Sequence, residues 1–144
     1  MLVKDIMTKE VVTIEASQTA TAACEMYKDR GVGCLIVTQN SLITGILTER
    51  DIIERIILGE RDPKTTLVEA IMSRDIKTIH ASATIETATK VMKDNHIKKL
   101  PVILNNKIVG IVTATDISNR VPLYTKELRQ SVDQDGPYGL IPER

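Results

Sequence analysis

The chain has 144 residues, 19 basic against 19 acidic side chains, and 42% hydrophobic residues, an ordinary globular balance that excludes intrinsic disorder. No apolar run approaches the ~20 residues of a membrane span. Asp5 and Glu10 also interrupt the apolar core a signal peptide needs, so the expected location is cytoplasmic. A pI near 6.7 gives no reason to expect a nucleic-acid partner, and three Tyr with no Phe or Trp leave no aromatic platform for stacking bases.

The chain opens with a short helical turn from Leu2 to Met7, followed by an extended piece from Val11 to Ile14. Ser17 is the expected N-cap of a helix from about Gln18 to Asp29, written on the spacing of Ala20, Ala23, Cys24 and Tyr27. Gly31 and Gly33 end it. Cys34 to Thr38 is a short apolar run bounded by turn residues and reads as a strand. Gln39, Asn40 and Ser41 turn the chain into a hairpin partner from Leu42 to Leu47. A closing helix runs from Glu49 to about Leu58.

The same order then returns. A constant shift of 65 residues aligns the two halves without a gap. Ile6-Met7-Thr8 meets Ile71-Met72-Ser73, Thr13-Ile14 meets Thr78-Ile79, and Lys28-Asp29 meets Lys93-Asp94. Gly45-Ile46, Thr48 and Asp51-Ile52 meet Gly110-Ile111, Thr113 and Asp116-Ile117, with Asn105-Asn106 as the second hairpin turn. The expected division is a first repeat over 1–59, a linker over 60–66, a second repeat over 67–121, and a C-terminal helix and extended tail over 122–144. Each repeat reads α-β-α-β-β-α. A three-stranded sheet with helices on one side leaves its other face bare, and a unit this small buries little surface alone. The expected fold class is therefore α/β, with two repeats packed sheet to sheet as an intramolecular pseudo-dimer and two related clefts between them.

Chemistry concentrates in two strings, Gly45-Ile-Leu-Thr48-Glu-Arg-Asp51 and Gly110-Ile-Val-Thr113-Ala-Thr-Asp116, both GxxTxxD at a strand-to-helix junction. Thr at N-cap with an acid at N3 makes a capping box. The same atoms suit a ribonucleotide: a carboxylate accepts from ribose hydroxyls, and a helix start favours phosphate. The glycine lets a ligand or a backbone approach closely.

Two gapless copies, an Ile-Met-Thr or Ile-Met-Ser opening, a Leu-Ile-Val or Leu-Pro-Val central strand and a closing GxxTxxD resemble a tandem CBS-domain pair, or Bateman module, over about residues 2–121. The resemblance implies regulation rather than catalysis, AMP, ADP or ATP as regulatory ligand, and homodimerisation of modules. It places Ile111, Thr113, Thr115 and Asp116 on ribose and phosphate in a main cleft. Thr8, Val12, Val32 and Gly33 would wrap the base, with Lys98 and Lys99 on the phosphates. The second cleft would use Ile46, Thr48, Arg50 and Asp51 with Ser73, Lys77 and Ile97. Its pre-strand stretch, Gly31-Val-Gly33-Cys34, lacks the basic pair, so unequal sites are expected, with Arg50 a partial substitute.

Two other readings fit the same strings: an interaction module whose clefts stay empty, and a CBS module that binds S-adenosylmethionine. His80 and His96 lie too far apart for a local metal motif, and no nucleophile–base arrangement stands out, so neither a metal nor a catalytic residue is expected. Cys24 and Cys34 read as reduced thiols. Met7, Met26, Met72 and Met92 read as core. The client protein is unspecified.

Overall fold

The computed structural model describes residues 1–120; the expected tail helix and extended segment over 122–144 lie outside them. The elements follow the expected order: α1 (Val3–Ile6), β1 (Thr13–Glu15), α2 (Ala20–Arg30), β2 (Cys34–Gln39) and β3 (Leu42–Thr48). Then come α3 (Glu49–Asp51), which runs on as a π-helix over Ile52–Ile57, and α4 (Val68–Ile71). The second half supplies β4 (Ile79–His80), α5 (Ile85–Asn95), β5 (Lys99–Leu104), β6 (Lys107–Thr113) and α6 (Ala114–Arg120). No described helix is long and apolar enough to cross a membrane.

Two three-stranded sheets result, ordered β1-β2-β3 and β4-β5-β6. In each, the first strand pairs parallel to the second and the second antiparallel to the third. Both hairpins carry a register shift at matching places, Val37/Thr38 and Val102/Ile103. Their turns need two successive residues at positive φ, which Asn tolerates: Asn40 and Ser41 in one, Asn105 and Asn106 in the other.

The first long helix begins later than Ser17 suggests. Thr19 is its N-cap, its hydroxyl accepting from the Ala22 N–H at 3.1 Å. Thr84 repeats this with Thr87 N–H at 3.1 Å. At the far end Gly31 sits in the left-handed region (φ 64°), where its N–H reaches Tyr27 O. The corresponding residue of the second repeat, His96, takes the same conformation at φ 54°.

The two compact units do not coincide with the two repeats of the sequence. One comprises 1–11 with 77–120, the other 12–76. In the first, α1 joins the second repeat: Val3 and Ile6 lie in one core with Ile79, Ile85, Met92, Leu100, Val112 and Ile117. In the second, α4 joins the first repeat: Val68, Ile71 and Met72 share a core with Ile14, Ala20, Leu35, Val37, Leu47 and Ile56. Met72 and Met92 are buried, while Met7 and Met26 are half-buried against these cores.

Candidate functional site

The GxxTxxD strings form the same local structure twice. Thr113 N–H donates to Asp116 Oδ2 at 3.0 Å, and Asp116 N–H donates to Thr113 Oγ1 at 3.0 Å. Thr48 and Asp51 repeat the exchange at 3.0 and 3.2 Å. Both are reciprocal capping boxes, so one carboxylate oxygen of each Asp is committed to a backbone donor.

The glycine of each string is explained by a neighbouring chain segment. A Cβ on Gly110 would stand 2.6 Å from Met7 Sδ and 2.8 Å from Thr8 O. On Gly45 it would stand 2.7 Å from both Met72 Sδ and Ser73 O. The approach is sealed by paired backbone bonds. Thr8 N–H donates to Ile111 O at 2.8 Å, and Ile111 N–H to Thr8 O at 2.9 Å. Ile46 and Ser73 make the same exchange at 3.0 and 2.9 Å. The Ile-Met-Thr or Ile-Met-Ser opening of one repeat thus clasps the closing string of the other. The sequence gives both motifs, but not their pairing.

Within the unit of 1–11 and 77–120 the expected residues Thr8, Lys98, Lys99, Ile111, Thr113 and Asp116 come together. Lys99 is the register partner of Thr113, and Ala114 N–H donates to Lys98 O at 2.8 Å. Asp116 and Thr113 are half-buried, and Thr115 is exposed on the first turn of α6. Val12, Val32 and Gly33 belong to the other unit.

Within 12–76, Ile46, Thr48, Asp51 and Ser73 gather in the matching way, while Lys77 and Ile97 belong to the other unit. Three differences separate the two boxes. Asp51 is fully buried, with Arg55 Nη2 3.9 Å from its Oδ1. Arg50, the expected stand-in for the missing basic pair, spends its Nε on Glu54 at 2.8 Å. Glu49 occupies the position of Ala114, and its Oε1 lies over Gly33, 2.9 Å from where a Cβ would be.

Two positioning groups escape a reading by motif. Arg55 Nη1 donates to Ile71 O at 2.7 Å and Met72 O at 3.0 Å, closing the C-terminal carbonyls of α4. Its signal was available: Arg120 occupies the matching position of the second repeat. Tyr27 donates its hydroxyl to Leu47 O at 2.9 Å. Burial, with the nearby Cys34 and Asp51, pushes that hydroxyl well above the ordinary phenol range. Burial also pushes the Cys24 thiol up. Among the described residues, no group of three or more His, Cys, Asp or Glu is placed to hold a metal ion.

The CBS-domain model matches residues 3–58 and 68–122. The chain is 34% identical over 116 residues to CBS domain-containing protein YhcV of Bacillus subtilis, covering 81% of this chain and 82% of that one. It superposes on the crystal structure of Hypoxic Response Protein I with two coordinated zinc ions at a TM-score of 0.76 and 29% identity, covering 84% and 99%. It also superposes on the hexameric CBS-CP12 protein from bloom-forming cyanobacteria at a TM-score of 0.73 and 27% identity, covering 94% and 80%. These matches define an α/β protein of two CBS repeats. The chain belongs to the CBS-domain family, as a tandem pair.

Proposed function

We propose that this chain is a regulatory module that binds an adenine nucleotide (AMP, ADP or ATP) and signals by conformational or assembly change to a separate partner protein. The observation that carries the reading is the convergence of Asp116, Thr113, Lys98 and Lys99 in one unit. A half-buried carboxylate can still accept from ribose hydroxyls, and two ammonium groups at the adjoining strand start suit phosphates. A ligand would act only through its differential affinity for two arrangements of the protein. Oligomerisation belongs to the same reading, since a structural relative is described as hexameric.

The test is a thermal-shift panel on the full chain with AMP, ADP, ATP, S-adenosylmethionine and an inosine control. A ligand at about a hundred times its dissociation constant adds ~2.7 kcal/mol, which raises the melting point of a chain this size by roughly 5–10 °C. A response to S-adenosylmethionine alone would change the ligand. Silence across the panel would favour an assembly module. That second reading draws support from both boxes acting as reciprocal helix caps and from the exposure of Ile53, Ile57 and Leu58.

A further inference from the structure

The two repeats carry different charge at the same junction, a cation before the central strand in the second and an acid at the start of the closing helix in the first. Where the second repeat sets Lys98 against Ala114, the first sets Gly33 against Glu49. The backbone is the same in both: Ala114 N–H donates to Lys98 O at 2.8 Å, and Glu49 N–H donates to Gly33 O at 3.2 Å. Only the side chains are exchanged. The space that a side chain on Gly33 would enter is taken by the Glu49 carboxylate, with Oε1 2.9 Å from the Cβ position. Lys99 is likewise replaced by Cys34. Counted over Gly33, Cys34 and 49–55 the formal charge is −1; over Lys98, Lys99 and 114–120 it is +2. That count already includes Arg50, whose Nε pairs with Glu54 Oε1 at 2.8 Å.

We propose that Glu49 is a specificity-determining residue that excludes phosphate from the first repeat, so that the chain takes a single anionic nucleotide, on the Asp116 side. This rests on the nucleotide reading above and adds to it the residue that sets the charge of the accepted ligand. The physical ground is direct: a carboxylate lying over Gly33, the residue equivalent to Lys98, repels an anion that approaches this junction.

The test is calorimetric titration of ATP, with AMP in parallel, into the full chain. The wild type should take one nucleotide, and Asp116→Ala should abolish most of the binding. Adding Glu49→Lys to Asp116→Ala should then recover ATP binding by about tenfold, an advantage that shrinks as salt rises. Glu49→Gln should recover less. Glu60→Lys, the same charge change on a turn after the π-helix, should recover nothing. Two equal ATP sites in the wild type would overturn the inference and leave the nucleotide reading standing. So would equal titrations of the Glu49→Lys and Glu60→Lys variants in the Asp116→Ala background. No binding of either nucleotide to the wild type would overturn both.

Discussion

Asp51 and Asp116 occupy one motif position with different surroundings. Asp51 is sealed from solvent, accepts from the Thr48 N–H and faces Arg55. Replacing it by Ala strands a buried donor, at a cost of about 1–3 kcal/mol, so Asp51→Ala should lower the urea midpoint while sparing most nucleotide binding. Asp116→Ala should do the reverse: a smaller loss of stability, and loss of the AMP-induced thermal shift. An AMP response that survives Asp116→Ala and vanishes in Asp51→Ala would invert the assignment. Tyr27 gives a second residue-scale expectation. Its hydroxyl ionises near 10.0 when unhindered and well above that in the fold, so the unfolded chain releases the proton first. The stability this contributes is whole below about pH 10 and drains as pH rises beyond it. Tyr27→Phe should cost about 0.5–1.5 kcal/mol near neutrality and flatten the alkaline fall, as measured by urea melts at about pH 8 and about pH 11.

At the scale of elements, the closing strand of each unit is tied to a short helical turn from the other end of the sequence alignment. Gly110 meets Met7 and Thr8 so closely that an added methyl must displace backbone. Gly110→Ala should therefore cost about 1–3 kcal/mol, and Gly45→Ala a similar amount, each read as a lower thermal midpoint. Arg55→Met keeps the stem but removes the donors on Ile71 O and Met72 O, a loss of about 1–2 kcal/mol. Most elements were legible beforehand. The Asn-rich hairpin turns, the apolar β2 run and the Gly31 stop each carry a local physical signal. Less local features were not. Ser17 and Thr19 are both good caps, and only the fixed hydrogen bond to Ala22 chooses between them. The switch to π-helical winding at Ile52 has no mark in the apolar spacing, which reads as an unbroken helix from Glu49. The capping boxes were visible in the spacing of Thr and Asp, whereas their different burial depends on packing no motif records.

Across the whole molecule, the repeats of the sequence and the units of the fold are offset by one helix. The core of the 12–76 unit needs Val68, Ile71 and Met72, which the sequence alignment assigns to the second repeat. A fragment spanning 12–76 should accordingly show more helical signal and a sharper thermal transition than a fragment spanning 1–66, although the latter contains the entire first repeat through the linker. Equal melting of the two fragments by circular dichroism would show that α4 adds little to that core. The gapless alignment could reveal duplication but not this offset, because shifting both boundaries by the same amount leaves the alignment unchanged.

The crossed clasp at Gly45 and Gly110 also bears on how such a protein can be shortened. Half of this chain, cut at the natural sequence period, would own a Met-Thr hook with nothing to grip and a glycine notch with nothing to fill it. Two such halves would satisfy each other reciprocally, so the minimal form of this architecture is a pair of strands of polypeptide exchanging their leading turns, and the covalent tether between repeats turns that exchange from a bimolecular event into an intramolecular one.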